Sequence, residues 1–352
     1  MYLNHLKKIS RTSQYDFDRS NYLRLDANER VIPFKTKEIE NIKKIITSEL
    51  IQSYPPSNKS LIKLISKKEK INEKFITLVA GSDTALKYLF EVFNKKKKKI
   101  VSIFPTYGMI SVYSSIYKYK IKNISESKFE ENIISKDIIK NCSFIYLANP
   151  NQPSGNIIKY HSLINIIKKA NKQKIHIVID EAYIDFTNQK SCSNLVKKYK
   201  YLIVLKSLSK SIGIAGLRLG YVISNPQIKI ILDAVKPIFD ITGPSIKICE
   251  FFFKNKKILE NYLEEIKKSK NFVGRECAKR QLKFKLTNAN FFHIFFEKGN
   301  KVKNIVKKLK HRKILIKSKY SKGFNVLKNS IRITYGSRSQ MSTFFNELDK
   351  IQ

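Results

Sequence analysis

The sequence contains no tryptophan, only four cysteines and only 28 acidic residues among 352. The cysteines show no C-x-x-C spacing and the five histidines no H-E-x-x-H pattern, so neither a disulfide framework nor a metal site is expected. No stretch approaches the roughly 18 apolar residues of a membrane helix, and the basic N-terminus lacks the apolar segment of a signal peptide. The sequence therefore predicts a cytoplasmic protein without a metal and without a membrane contact.

Lysines and arginines, 69 in all, outnumber the acidic residues and give a formal net charge of +41. Such a charge would suit a polyanion-binding protein that contacts nucleic acid or an acidic membrane surface. The lysines are spread along the whole chain, however, whereas nucleic-acid sites more often favour arginine and aromatics on one face. We expect a biased composition and no nucleic-acid partner. Each arginine is then an informative choice, because only its guanidinium offers a bidentate fork.

Short β-rich runs alternate with helical patterns from about residue 76 onward. The predicted strands are 76–80, 100–104, 144–148, 175–179, 201–205 and 219–223. Strands separated by helices indicate crossover connections, and several runs are apolar on both faces, as a sheet covered by helices requires. We expect an α/β fold whose large domain has a mostly parallel sheet covered by helices.

The pattern changes past about residue 225. A long charged helix is predicted over 258–279, followed by strands at 291–296, 314–317 and 330–334 and a final helix from about 339. A chain of 352 residues suits one large domain with a smaller companion. We predict a large domain over 41–234 and a smaller α+β C-terminal domain over 235–352. Residues 1–40 do not fit the alternation, and we expect them to pack on the small domain or on a partner subunit.

Small and polar residues gather where the predicted strands end, which is where open α/β sheets bind ligands. Gly81 precedes a helix whose first N–H groups could bind an anion, although Ser82, Asp83 or Thr84 could equally be a helix cap. A second strand is followed by a turn that contains Asn151 and Gln152. A third ends at Asp180, which could be a functional carboxylate or a solvated strand end.

The fourth strand end carries the most specific pattern. Ser207 and Ser209 precede Lys210, and Arg218 follows eight residues later, among Gly213, Gly216 and Gly220. A lysine in such a loop can lose its proton more readily and form imines. A lone lysine would carry little meaning in this lysine-rich chain, but the glycines and Arg218 around it favour a functional role.

In this order the motifs resemble the class I/II aminotransferases, which are pyridoxal-phosphate (PLP) enzymes of fold-type I, and among them most closely the histidinol-phosphate aminotransferases. The resemblance covers most of the chain. It rests on Leu25-Asp26-Ala27-Asn28-Glu29, Ser53-Tyr54-Pro55, the Gly81 turn, Pro105-Thr106-Tyr107-Gly108-Met109, the Asn151 turn, Asp180-Glu181-Ala182-Tyr183, the Lys210 block and Ile331-Arg332-Ile333-Thr334.

The resemblance implies a role for each matching residue around PLP. Lys210 would carry the cofactor as a Schiff base and move the substrate proton, and Asp180 would pair with the protonated ring nitrogen. Tyr183 and the Asn151-Gln152 turn would lie beside the ring hydroxyl, and Tyr107 would stack on the ring. The phosphate would be held by Gly81 and the N–H groups of Ser82 and Asp83, together with Ser207, Ser209 and Arg218.

The resemblance also implies a homodimer with shared active sites, because Tyr54 matches a tyrosine that reaches the phosphate of the neighbouring subunit. Asn28, Arg332 and Lys317 correspond to substrate-binding positions. Three of these motifs depart from the family pattern. Arg30-Val31 follows Asn28-Glu29, where the family commonly has Asn-Pro. Gln152 replaces the usual asparagine before the proline. The position of the family's second substrate arginine falls near Lys317, which would bind an anion only as a point charge.

The predicted function is transfer of an amino group between an amino-acid-like donor and a keto or aldehyde acceptor. Histidinol phosphate with 2-oxoglutarate is the first substrate hypothesis, and a related aminotransferase acting on another acid is the second. A decarboxylase of the threonine-phosphate type shares nearly all the motifs. A polyanion-binding protein would explain the charge, but it leaves Asp180, Lys210 and Arg218 unexplained.

Overall fold

The computed structural model describes residues 4–9, 17–93, 99–126, 136–297, 299–318 and 327–351. The strands of this part of the chain are β1 (Leu23–Arg24), β2 (Ile76–Val79), β3 (Lys99–Ile103), β4 (Lys120–Ile124), β5 (Phe144–Ala148), β6 (His176–Asp180), β7 (Leu202–Ser207), β8 (Gly220–Ser224), β9 (Lys283–Leu286), β10 (Phe291–Phe295), β11 (Ile314–Leu315) and β12 (Ser330–Thr334).

The α-helices of the described residues are α1 (Thr36–Ile45), α2 (Ser48–Gln52), α3 (Lys59–Glu69), α4 (Ser82–Val92), α5 (Met109–Ile116), α6 (Lys136–Ile139), α7 (Tyr160–Lys172), α8 (Pro226–Val235), α9 (Gly243–Lys254), α10 (Lys256–Lys279), α11 (Gly299–His311) and α12 (Arg338–Asp349). Short 3₁₀ helices occupy Asn4–Lys8, Glu73–Phe75, Ile184–Phe186, Ser193–Lys197 and Ala215–Leu217. None of the described helices is long and apolar enough to cross a membrane.

Seven strands form the large sheet, in the order β2-β8-β7-β6-β5-β3-β4. The strands from β4 to β7 pair in parallel, whereas β8 runs antiparallel to both of its neighbours, β7 and β2. The parallel register aligns Ala148 with Asp180 and Asp180 with Leu205. The carboxyl ends of β5, β6 and β7 therefore lie side by side at one edge, as the sequence predicted.

Helices bury both faces of this sheet, which explains why its central strands are apolar throughout. Ile177 and Ile179 face a core built with α3, α7 and α9, and the alternating Val178 faces a second core built with α4, α5 and α8. Strand β4 was not predicted. Among the described strands it pairs with β3 alone, at the edge of the sheet. Most of its residues, including its lysines, are partly or fully exposed, so it lacks an apolar run.

A smaller antiparallel sheet has the order β12-β10-β9 and packs with α10, α11 and α12. The N-terminal segment joins this region, because β1 pairs in parallel with β11 and Leu25 lies in the same core. Helix α9 instead contributes Ile246 and Phe252 to the core of the large sheet. Segments that are close in the chain therefore do not always share a core: the N-terminal segment packs with the small sheet, and α9 packs with the large one.

Candidate active site

Asp180 ends the buried strand β6 and is 6% exposed. Its Oδ2 accepts a hydrogen bond of 2.8 Å from the hydroxyl of Tyr146 on β5, and its Oδ1 accepts one of 3.0 Å from the backbone N–H of Ala182. Burial raises the pKa of this carboxyl, the hydrogen bonds from Tyr146 and Ala182 oppose the rise, and the resulting value is about 6. The alternative of a solvated strand end is therefore wrong, because Asp180 is desolvated and held in one orientation.

Lys210 lies in the turn that follows β7, and its Nζ donates a hydrogen bond of 3.2 Å to the carbonyl oxygen of Ala27. Burial, together with the cations of Arg332 and Arg218, lowers the pKa of this amine to about 8, against the opposing effect of the carboxylates of Glu29 and Asp180. Arg332 donates a hydrogen bond to the carbonyl oxygen of Asp26, the residue before Ala27, so Lys210 and Arg332 bind neighbouring backbone carbonyls. A lysine with this pKa is partly unprotonated near neutral pH and can act as a nucleophile.

Tyr183 is connected to the N-terminal segment through Asn28. The Nδ2 of Asn28 donates a hydrogen bond of 3.0 Å to the Tyr183 hydroxyl, and its backbone N–H donates one of 3.1 Å to Oγ1 of Thr334. The Nδ2 of Asn290 donates to the Asn28 carbonyl oxygen at 3.0 Å. Burial raises the pKa of Tyr183, so the phenol remains protonated. The structure thus brings Asn28 and Tyr183 together, as their predicted roles require.

The start of α4 lies against Arg218. Gly81 precedes this helix with a φ of +90°, and a Cβ atom there would lie 3.0 Å from Nη2 of Arg218. On the neighbouring strand Gly220 pairs with Ser207, and a Cβ on Gly220 would lie 3.0 Å from the backbone nitrogen of Ser82. Predicted phosphate-binding residues from three separate segments therefore meet here, beside N–H groups that suit an anion.

Ser209 lies in the turn after Ser207 and is also buried, and its backbone N–H donates a hydrogen bond of 3.3 Å to Oγ of Ser207. The two predicted serines therefore lie at the end of β7 and in the turn that follows it. This turn leads directly into Lys210.

Asp83 turns away from the end of its helix and towards two tyrosines. Its carboxylate accepts hydrogen bonds from the hydroxyls of Tyr113 (3.1 Å) and Tyr107 (3.4 Å). The alternative that Ser82, Asp83 or Thr84 caps α4 is wrong, because the residue at the cap position is Gly81. The carboxylate of Asp83 therefore orients the ring of Tyr107, which was predicted to stack on the cofactor.

The turn after β5 uses its two predicted amides differently. Oδ1 of Asn151 accepts a hydrogen bond from Thr106 (2.9 Å), and its Nδ2 donates to the carbonyl of Pro105 (2.7 Å) and to Glu126 (2.6 Å). The side chain of Gln152 makes no hydrogen bond with any residue that the structure describes. The amide of Asn151 is therefore committed to the protein, whereas that of Gln152 is available to a ligand.

Arg332 on β12 is buried, and its Nη2 donates a hydrogen bond of 2.6 Å to the carbonyl oxygen of Asp26. Its guanidinium lies 5.4 Å from the centroid of the Phe291 ring. Lys317 forms an antiparallel bridge with Arg332, with backbone hydrogen bonds of 2.7 and 3.1 Å. The two predicted substrate cations are thus cross-strand neighbours.

Tyr54 is 80% exposed in the single chain, and its ring stacks on that of Phe239 with centroids 4.6 Å apart. Its predicted role in a neighbouring subunit is not tested by one chain and stays a prediction.

Sequence reasoning missed Tyr146 and a buried charge cluster beneath the site. Nζ of Lys206 lies 2.6 Å from Oε2 of Glu181 and 3.9 Å from Oε2 of Glu69. The other carboxylate oxygen of Glu69, Oε1, accepts a hydrogen bond of 2.7 Å from the Tyr221 hydroxyl. Burial alone would lower the pKa of Lys206, but the two carboxylates raise it above its usual value. A lysine within an otherwise apolar strand was the available signal.

The residues present fit PLP. A protonated pyridine nitrogen needs a buried carboxylate, which Asp180 supplies, and an aldehyde needs an amine of lowered pKa, which Lys210 supplies. A phosphate dianion suits the cradle formed by Gly81, Arg218 and the start of α4, because a side chain at position 81 would fill it. Among the described residues, no cluster of three or more His, Cys, Asp or Glu could hold a metal ion.

Comparisons with known proteins agree with this chemistry. A histidinol-phosphate aminotransferase from Clostridium novyi (strain NT) is 34% identical over 343 residues, which cover 95% of this chain and 93% of the relative. The solved histidinol-phosphate aminotransferase from Sinorhizobium meliloti, in complex with pyridoxal-5′-phosphate, superposes with a TM-score of 0.82 at 19% identity, covering 93% of this chain and 90% of that one.

An L-threonine-O-3-phosphate decarboxylase from Porphyromonas gingivalis superposes almost as well, with a TM-score of 0.80 at 19% identity and coverage of 93% and 98%. These two structural likenesses show the fold-type I architecture alone, and they confirm the predicted fold. The sequence model of the family described as aminotransferase class I and II matches residues 12–348. The chain therefore belongs to the class I and II aminotransferase family, and it is a transaminase whose cofactor is PLP.

Proposed function

We propose that the protein transfers an amino group between histidinol phosphate and 2-oxoglutarate. The observation that carries the reaction type is the position of Lys210. Its Nζ donates to the carbonyl of Ala27, beside the carbonyl of Asp26 that binds Arg332, and Asp180 ends the strand next to the one that leads to Lys210. The substrate is supported by the Clostridium novyi relative, because its identity of 34% extends over 95% of this chain.

In this proposal Lys210 is the catalytic base. PLP, when bound, supplies an electron sink for the substrate. Lys210 holds and moves the proton at the substrate Cα, since its pKa, lowered to about 8, leaves part of the amine unprotonated near neutral pH. Asp180 keeps a proton on the ring nitrogen, and its hydrogen bond from Tyr146 fixes the carboxylate that does so. Tyr183 and Gln152 would bind the ring hydroxyl. Gln152 is assigned rather than Asn151 because the amide of Asn151 is already committed to the protein.

The cofactor phosphate would be held by the N–H groups of Ser82 and Asp83 together with Ser207, Ser209 and Arg218. Arg332 binds an acidic group of the substrate, with Lys317 and Asn28 nearby. The guanidinium of Arg332 is buried and donates to the carbonyl of Asp26. A bidentate carboxylate partner suits such a desolvated cation better than a single carbonyl does. Lys317 is half-buried and adds a point charge.

We further propose a homodimer whose active sites include Tyr54 of the neighbouring subunit. Tyr54 belongs to a group of exposed apolar side chains that a partner would cover, namely Ile51, Tyr54, Ile230, Ile231, Val235, Ile238 and Phe239. Ile238 is 87% exposed in the single chain. Sedimentation would show the dimer, and mixing a Tyr54→Ala chain with a Lys210→Ala chain would restore part of the activity if sites are shared.

The domain division stays a proposal. The predicted boundary lies between residues 234 and 235, but α9 packs in the core of the large sheet, which favours a boundary close to the start of α10. The cytoplasmic location and the absence of a nucleic-acid partner also remain predictions from the sequence. A DNA gel shift at several salt concentrations addresses the latter.

A half-reaction screen tests the substrate. The PLP-loaded protein is mixed in turn with histidinol phosphate, glutamate and threonine phosphate, and the visible absorption band is followed together with release of CO₂. We expect histidinol phosphate and glutamate to bleach the band, and 2-oxoglutarate to restore it. Release of CO₂ from threonine phosphate, with no response to histidinol phosphate, would instead identify a decarboxylase.

A further inference from the structure

The small sheet holds the turn that carries Gln152. On β10, Nε2 of His293 lies 2.9 Å from the carbonyl oxygen of Pro153, the residue that follows Gln152. Two residues further along the turn, the carbonyl of Gly155 accepts a hydrogen bond of 3.0 Å from the backbone N–H of Asn288. Lys285 on β9 donates to the side chain of Asn156. The hairpin of β9 and β10 therefore contacts the turn at three successive points.

The contact is close as well as polar. Gly155 has a φ of +68°, and a Cβ atom there would overlap the side chain of Thr287 in the loop of the same hairpin. From the other side, Glu126 accepts hydrogen bonds from Asn151 (2.6 Å), Ser154 (2.5 Å) and Asn156. The turn is thus fixed on two sides by groups that lie far away in the sequence, and the side chain of Gln152 is left uncommitted among the described residues.

His293 is suited to a fixed hydrogen bond. It is fully buried, and burial lowers its pKa to about 3, so the imidazole is neutral. A carbonyl oxygen can only accept, so the hydrogen must be on Nε2, and His293 donates it to Pro153. The residue directly opposite His293 on β12 is Arg332. The same pair of strands therefore carries the proposed substrate cation and the contact to the proposed cofactor turn.

We propose that His293 is a positioning residue that sets the place of Gln152 against the ring hydroxyl of the cofactor and links it to the strand of Arg332. The inference rests on the proposed function, because Gln152 has a ring to contact only if PLP occupies the site. His293 itself touches neither substrate nor cofactor. It acts through the carbonyl of Pro153, one residue from the amide that it positions.

Three variants test the role. His293→Leu removes the donor at similar volume, and His293→Gln restores an N–H at the position of Nε2. Ile294→Val is the matched control, because Ile294 is equally buried on the same strand but faces the core of the small sheet. For each, the dissociation constant of PLP, the visible circular dichroism of bound PLP and the melting temperature are measured. Competition by inorganic phosphate reports separately on the phosphate end of the site.

We expect His293→Leu to weaken PLP binding about tenfold, the size of one lost hydrogen bond, and to reduce the visible circular dichroism. His293→Gln should stay within about threefold of the wild type, and inorganic phosphate should compete equally in all variants. The inference is overturned if His293→Leu lowers the melting temperature but leaves the binding constant and the dichroism unchanged, or if His293→Gln behaves like His293→Leu. Failure of the wild type to take up PLP would refute the proposed function instead.

Discussion

The hydroxyl of Tyr146 donates a hydrogen bond of 2.8 Å to Oδ2 of Asp180. Both residues lie on adjacent parallel strands, Tyr146 in the middle of β5 and Asp180 at the end of β6. The carboxylate has little other support, because its second oxygen accepts only from the backbone of Ala182 among the described contacts. The charge that Asp180 must carry beside a pyridinium nitrogen therefore depends on a phenol buried one strand away.

Replacing Tyr146 with phenylalanine should raise the pKa of Asp180 above about 6, because the lost hydrogen bond favoured the ionised form. We expect kcat to fall about tenfold and the acidic limb of the pH–rate profile to move up by about half a unit to one unit. Tyr221→Phe is the matched control, because Tyr221 is equally buried in the same sheet but donates to Glu69. If the acidic limb shifts equally in Tyr146→Phe and Tyr221→Phe, Tyr146 does not set the pKa of Asp180.

Asp180 should also make the cofactor-free protein sensitive to pH. The folded-state pKa of about 6 lies above the ordinary value of 3.8, so the folded protein binds this proton more tightly than the unfolded chain does. The associated stability is present below about pH 4 and is lost as the pH rises to 6, at a cost of about 3 kcal/mol. Asp180→Asn removes this titration. We expect the melting temperature of Asp180→Asn, measured relative to that of the wild type, to be higher at pH 8 than at pH 4.

Bound PLP should reverse the gain in stability of Asp180→Asn over the wild type at pH 8. The reason is that a cationic ring nitrogen stabilises the carboxylate and not the amide. PLP is therefore expected to raise the melting temperature of the wild type more than that of Asp180→Asn. If PLP raises the melting temperature of Asp180→Asn as much as that of the wild type, Asp180 does not pair with the ring nitrogen. Thermal scans at the two pH values, with and without PLP, provide all four comparisons.

Local motifs predicted the cofactor residues because each motif combines strand, turn and chemistry within a few residues. Asp180, Lys210 and Arg218 were found in this way. The supporting residues carry no such local signal. Tyr146 lies in an apolar strand where tyrosine is unremarkable, and His293 resembles any buried strand residue until its partner, 140 positions away, is known. The choice between Asn151 and Gln152 also needed the structure, because the groups that bind Asn151 come from distant segments.

Lys210 should capture PLP at a rate that depends on pH. Only the unprotonated amine is nucleophilic, and burial followed by the cations of Arg332 and Arg218 lowers its pKa to about 8. The rate at which the cofactor-free protein develops the visible band should rise with pH and reach half its maximum near pH 8. Arg332→Gln should move that midpoint upward, because it removes a nearby positive charge.

Lys210→Ala should lose the band after dialysis, whereas Lys190→Ala, which alters an exposed lysine of the same chain, should keep it. A band that survives in Lys210→Ala would assign the cofactor to another amine. A midpoint that stays near pH 10 in the wild type would show that the amine is not desolvated. Stopped-flow absorbance across pH 6 to about 10 distinguishes these outcomes.

Gly81, which lies against Arg218, and Gly216, two residues before Arg218 in the chain, should respond differently to an added methyl group. Gly81 has a φ of +90°, and its Cβ would lie 3.0 Å from Nη2 of Arg218, whereas a Cβ on Gly216 has no heavy atom within 4 Å. Gly81→Ala should therefore lose about 1–2 kcal/mol of stability through backbone strain and displace the guanidinium. We expect PLP affinity to fall at least tenfold in Gly81→Ala and to stay within about twofold in Gly216→Ala. Equal PLP affinities in the two variants would show that Arg218 and the start of α4 do not bind the phosphate together.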